Sequence, residues 1–196
     1  MPAYVAETTL LTLFLLLLLF LNHVPLQTLG LRLLPWFQFV WHCVFGVAVV
    51  IGLDFGALFA LRTKRDSAFK VEQEQVFPAD TLPIVAVCIL SAFWEELCFR
   101  GLPLYLAGPG LLRVLVALAL SSLIFALQHL REGIGRAAYT GFYGVLFFVI
   151  YLATRDLGAT MVAHASGNMF ASLYGSREYR KRQQHVYKGF DVSQLP

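Results

Sequence analysis

Glu95 and Glu96 stand side by side inside the apolar run 91–106, and Arg100 follows Glu96 by four residues. An ionisable side chain at bilayer depth costs roughly 2.5–3.5 kcal/mol on the insertion scale, so each reads as a functional group. On a helix Glu96 and Arg100 share a face and can neutralise each other. Glu95 projects about 100° away from that pair, because a helix has ~3.6 residues per turn. It is the carboxylate left free for chemistry. Two more polar patterns interrupt apolar runs: Phe125-x-x-x-His129 and His164-x-x-x-Asn168. His164 and Asn168 are again four apart and point to one side of their helix.

Taken singly, each pattern has an ordinary structural reading as a packing or hydrogen-bonding residue, and Glu96 with Arg100 reads mainly as a structural ion pair. Together the three suit hydrolysis of an amide. A carboxylate enclosed in an apolar cavity holds its proton more tightly than in water, which makes it a competent general base near neutral pH. Glu95 and His129 can hold and deprotonate a water. His164 and Asn168 can donate hydrogen bonds to the oxyanion as the scissile carbonyl becomes tetrahedral, an effect often worth about 3–4 kcal/mol. Glu96, neutralised by Arg100, would orient these groups.

The elements that must position these residues are apolar and long. Of 196 residues, 58% are hydrophobic and 14% charged, and the mean hydropathy is +0.68; soluble domains are closer to a quarter charged. The expectation is an all-α, polytopic transmembrane bundle of about six spans with its active site between helices. Residues 8–21 form the first span, because a secretory signal would carry a basic start and a small-residue cleavage site. The others are 36–61, 81–106, 111–130, 138–153 and 157–174. Pro83 suits the first turn of the third, and Pro103, Gly108, Pro109 and Gly110 mark its end. Trp36 and Trp41 are interfacial anchors. Asp54 reads as an acid snorkelling or paired near the interface. The chain reads as a single domain: two N-terminal spans (1–61), a four-span core with the motifs (81–174) and a basic tail (175–196).

Eleven of the 15 Lys and Arg residues fall in loop 62–80, the loop after the fourth span and the tail. That places both termini in the cytoplasm. By helical rise, Glu95 and His164 then lie nearer the outer face and His129 nearer the inner one. Convergence requires the fourth helix to tilt or to begin later than residue 111. The net charge of +3 belongs to these loops and makes no case for nucleic acid. Cys43, Cys88 and Cys98 lack CxxC spacing and read as small buried thiols.

EELCFR (95–100), FALQH (125–129) and HASGN (164–168) resemble, in order and spacing, the EExxxR, FxxxH and HxxxN motifs of the CPBP group, the CAAX-protease and bacteriocin-processing (Abi) family of intramembrane glutamic endopeptidases. The likeness covers about 91–173. It implies a helical membrane protease with no required metal or other cofactor. The residues matching Glu95 and His129 would activate water, and those matching His164 and Asn168 would form the oxyanion hole. The implied partners are membrane lipid and a membrane-anchored protein or peptide substrate, in a bacterial inner membrane. A site opening outward would fit the branch resembling myxosortases, which trim C-terminal sorting signals; a CAAX substrate would arrive from the cytoplasm.

Three other readings compete. A non-catalytic scaffold or bacteriocin-immunity protein of the same fold should have lost a motif residue, and none is lost. A proton-relay transporter should show inverted repeats or paired broken helices, and neither is present. Two histidines and a carboxylate also suit hydrolytic zinc, but there is no HExxH, and Asn168 serves an oxyanion better than a metal.

Overall fold

Stretches of leucine, valine and phenylalanine without an interior proline leave the backbone one way to satisfy its polar groups in lipid, which is to coil into helices. A computed structural model describes residues 2–61 and 81–172, and helices dominate throughout; among the described residues there is no strand. The chain runs through α1 (Pro2–Leu21), α2 (Trp36–Leu61), α3 (Thr81–Glu96), α4 (Leu102–Ala107), α5 (Leu111–Gln128), α6 (Ile134–Thr154) and α7 (157–172). Among the described residues α2, α5 and α6 are long and apolar enough to cross a membrane. At ~1.5 Å per residue, the 18 residues of α5 give about 27 Å. The basic loop 62–80 and the tail lie outside the described residues.

The third helical run ends at Ala107 with Gly108 (φ 65°) as its cap, close to the expected 106, but it is not α-helical throughout: a five-residue π-helical turn, Leu97–Gly101, joins α3 to α4 without a break. The cause lies in the proline. Pro103 has no N–H to offer the carbonyl four residues back, and its ring pushes that carbonyl away, so the preceding turn widens. The other difference is in α5, which begins at Leu111 as expected but ends at Gln128, with His129 as its C-cap.

The link between α1 and α2 is more than a turn. Between Pro25 and Pro35 sits a short 3₁₀ helix, Leu26–Leu29, closed by Gly30 at φ 88°. Gly30 is required there: a Cβ would fall 2.5 Å from the Tyr151 ring. The Gly30 carbonyl accepts from the Leu157 N–H at 3.0 Å, and the Tyr151 hydroxyl donates to the Leu29 carbonyl at 3.0 Å. The segment is thus pinned over the α6–α7 junction. Leu29 is fully buried with Leu15, Leu19, Leu97, Leu157 and Met161. A second cluster joins α2, α6 and α7 through Val50, Tyr143, Phe147, Ile150 and Ala163.

Small residues set the helix spacings. Gly144 of α6 lies against Ser122 and Phe125 of α5, Gly46 of α2 against Ala163 of α7, and Gly167 of α7 against Val50 of α2. Phe14, Trp36, Trp41, Leu112 and Leu123 point outward, an apolar surface suited to lipid.

Candidate active site

Glu96 is fully buried and Arg100 is 1% exposed. Arg100 Nη1 lies 3.0 Å from Glu96 Oε1, an ion pair without the alignment of a hydrogen bond. Arg100 Nη2 donates to the Gly144 carbonyl at 3.2 Å. The π turn carries Arg100, and such turns occur often where a helix must present a functional side chain. The guanidinium also sits over the Phe125 ring at 4.7 Å and near Phe147 at 5.4 Å, so two aromatic faces cover the cation.

His164 joins this pair to Glu95. Its Nδ1 is 2.6 Å from Glu96 Oε1, and its Nε2 is 3.5 Å from Glu95 Oε2. Phe147 stacks on the imidazole at 4.4 Å and 18°, while Phe125 meets it edge-on at 6.2 Å. Since an ionised Glu96 can only accept, Nδ1 carries a proton. Charge then fixes the total. With Arg100 cationic and Glu96 anionic, Glu95 and His164 Nε2 share one proton if the cluster is neutral. When that proton is on His164, Glu95 is a free base and His164 is a donor.

His129 faces the same aromatic wall from α5, 5.4 Å from Phe125 and edge-on to it. Its Nδ1 lies 3.1 Å from the Phe125 carbonyl, an acceptor only, so Nδ1 donates and Nε2 is left as the basic nitrogen. Among the described residues no hydrogen bond joins His129 to Glu95. Asn168 lies one turn beyond His164 and is half-buried, and among the described residues its amide makes no hydrogen bond. Glu95, Glu96, Arg100 and His164 are therefore in direct contact. His129 approaches through Phe125, and Asn168 by its register on α7. Glu96 Oε2, Arg100 Nε and the buried Ser122 Oγ have no protein partner. Among the described residues no three His, Cys, Asp or Glu side chains gather as metal ligands.

Two buried acids escaped the motif reading. Asp54 is paired, as one of its two readings had it: it is 7% exposed, and Tyr139 and Tyr143 both donate to its Oδ1. Tyrosines at 139 and 143, one turn apart on an apolar helix, were the available signal. Asp156 is 1% exposed; its Oδ1 caps α7 by accepting from the Ala159 N–H at 3.1 Å, and its Oδ2 lies 3.2 Å from His42 Nδ1.

A family model described as Rce1-like, type II CAAX prenyl endopeptidase, matches residues 77–170. That stretch is similar to the Rce1-like family. It is a peptidase family, and every residue of the Glu95–His164 cluster lies inside the match. No curated protein and no solved structure matches the chain. The Rce1-like stretch begins just before α3 and ends within α7, so α1 and α2 fall outside it.

Proposed function

We propose that this protein is an intramembrane endopeptidase of the glutamic type that hydrolyses a peptide bond in a membrane-anchored protein near its membrane end. The observation that carries the reading is the 3.5 Å approach of Glu95 Oε2 to His164 Nε2, between helices of a chain whose α3–α7 region is Rce1-like. Glu95, ionised, takes a proton from a water that His129 Nε2 orients. The hydroxide adds to the scissile carbonyl carbon, and the developing oxyanion accepts from His164 Nε2–H and the Asn168 amide. Glu95 passes its proton to the leaving nitrogen as the C–N bond breaks. Glu96 accepts from His164 Nδ1–H and so fixes the orientation of the doubly protonated ring, and Arg100 balances Glu96. No resident metal or cofactor enters the scheme.

The chain is one integral domain of six spans with both ends in the cytoplasm, a reading supported by the eleven basic residues in the loops and tail of that side. The first probe is a quenched, farnesylated peptide ending in a CAAX sequence, together with a proteomic comparison of membrane-protein C-termini. Glu95→Gln should fold as the parent does and lose at least about 10²–10⁴-fold in rate. EDTA should leave the parent's rate unchanged. Full cleavage by Glu95→Gln rejects the role of Glu95, and loss in EDTA that zinc restores rejects the metal-free scheme.

A further inference from the structure

Asp54 lies on α2, outside the Rce1-like stretch and outside the cluster described above, yet side-chain contacts connect it to that cluster. Its Oδ1 accepts from the hydroxyls of Tyr139 and Tyr143. The Tyr143 ring lies 5.8 Å from Phe147, one turn further along α6. Phe147 in turn is the ring stacked on His164. α2 also packs closely on α7, with Gly46 against Ala163 and Gly167 against Val50. One helix therefore touches both the element that carries His164 and the element that carries the ring lying on it. For packing alone an apolar residue would serve, as Val50 does one turn away. Burying a carboxylate is costly, and what it adds is direction. Two phenols converging on one oxygen fix the rotation of α6 and hence the plane of Phe147.

Resting on the proposed peptidase reading, we infer that Asp54 is a positioning residue for the reaction: through Tyr143 and Phe147 it sets the plane of His164 and so the direction of Nε2. A catalytic group misplaced by 1 Å can cost about 10²-fold in rate. Asp54→Leu should therefore lower kcat roughly 10- to 100-fold with little change in KM for the farnesylated peptide. Asp54→Asn, whose Oδ1 still accepts from both phenols, should retain most of the rate. Tyr143→Phe should lower kcat more than Tyr139→Phe, because Tyr143 is the ring against Phe147.

A readout independent of turnover is the pair of His164 ring-nitrogen resonances in protein labelled with [¹⁵N]histidine, assigned by their loss in His164→Ala. Asp54→Leu and Tyr143→Phe should move them, and Asp54→Asn should not. Unmoved resonances in folded Asp54→Leu or Tyr143→Phe overturn the inference. So does Asp54→Asn failing as completely as Asp54→Leu, or Tyr139→Phe costing as much as Tyr143→Phe. If instead Glu95→Gln cleaves like the parent, the peptidase scheme fails, while the resonances still decide the role of Asp54.

Discussion

Glu96 serves two partners with one oxygen, the Arg100 guanidinium at 3.0 Å and His164 Nδ1 at 2.6 Å. Removing Arg100 takes from the fully buried Glu96 the cation that balances it. Breaking a buried pair by deleting one member costs about 3–5 kcal/mol, so Arg100→Ala should lower Tm sharply in detergent and abolish cleavage. Arg100→Lys should rescue little, because a single ammonium cannot pair with Glu96 while reaching the Gly144 carbonyl, as the planar fork does. Thermal melts of the two variants beside the parent check both statements; a parent-like Tm in Arg100→Ala would show that the pair contributes nothing to the fold. The Glu96–Arg100 pairing was legible from four-residue spacing alone, since both sit on one helical run. The Glu96–His164 contact was not, because it depends on how α7 is rotated against α3, and local periodicity says nothing about that rotation.

At the level of elements, the hydropathy pattern located the helical runs, including the one that ends at Ala107, but not the wide turn that a proline produces inside it. Pro103 reads locally as a stop signal; in the folded chain Leu97 and Phe99 are buried on the core side, and the helix absorbs the missing hydrogen bond by widening one turn. That widening sets the azimuth of Arg100 relative to Glu96. Pro103→Ala restores an N–H and permits an α-helical turn through Leu97–Gly101, which would swing Arg100 away from the Gly144 carbonyl and the Phe125 face. The expected result is unusual: unchanged or higher Tm, since a helix-interior proline is replaced by the best helix former, with a cleavage rate reduced at least about tenfold by the misplaced cluster. Paired melting and rate measurements decide it, and a variant as active as the parent would show that the wide turn has no part in the chemistry. Of the two ways the sequence left for His129 to meet the site, a late start is excluded, because α5 begins at Leu111 as expected; His129 stacks edge-on against Phe125 from the C-cap position, and Phe125 meets His164.

Across the whole molecule the Rce1-like match stops short of α1 and α2, while the packing does not. Leu15 and Leu19 of α1 and Leu29 of the link are buried against Leu97 of the π turn and Leu157 at the start of α7. α2 meets Tyr143 of α6 through Asp54 and closes on α7 at Gly46. Hydropathy could count these two helices but could not rank them, because an apolar helix facing lipid and one facing protein have the same composition. On the proposed orientation, a cysteine placed at Ser67 in an otherwise cysteine-free protein reacts with an impermeant maleimide only from the cytoplasmic side. Labelling from the opposite face would invert the topology. The sharper test is removal. A chain beginning at residue 77 keeps the whole Rce1-like match but exposes Leu97 and Leu157 and takes the Leu29 carbonyl from the Tyr151 hydroxyl and the Gly30 carbonyl from the Leu157 N–H. In lipid an unpaired backbone N–H costs several kcal/mol, and each large apolar side chain withdrawn from a packed site costs about 2–5 kcal/mol. The shortened chain should therefore insert without folding cooperatively and should not cleave the farnesylated peptide. Supplying residues 1–76 as a separate polypeptide should restore part of the rate, since the lost contacts are noncovalent. Full activity of the shortened chain alone would show that the catalytic unit is the α3–α7 core and that α1 and α2 are appended to it.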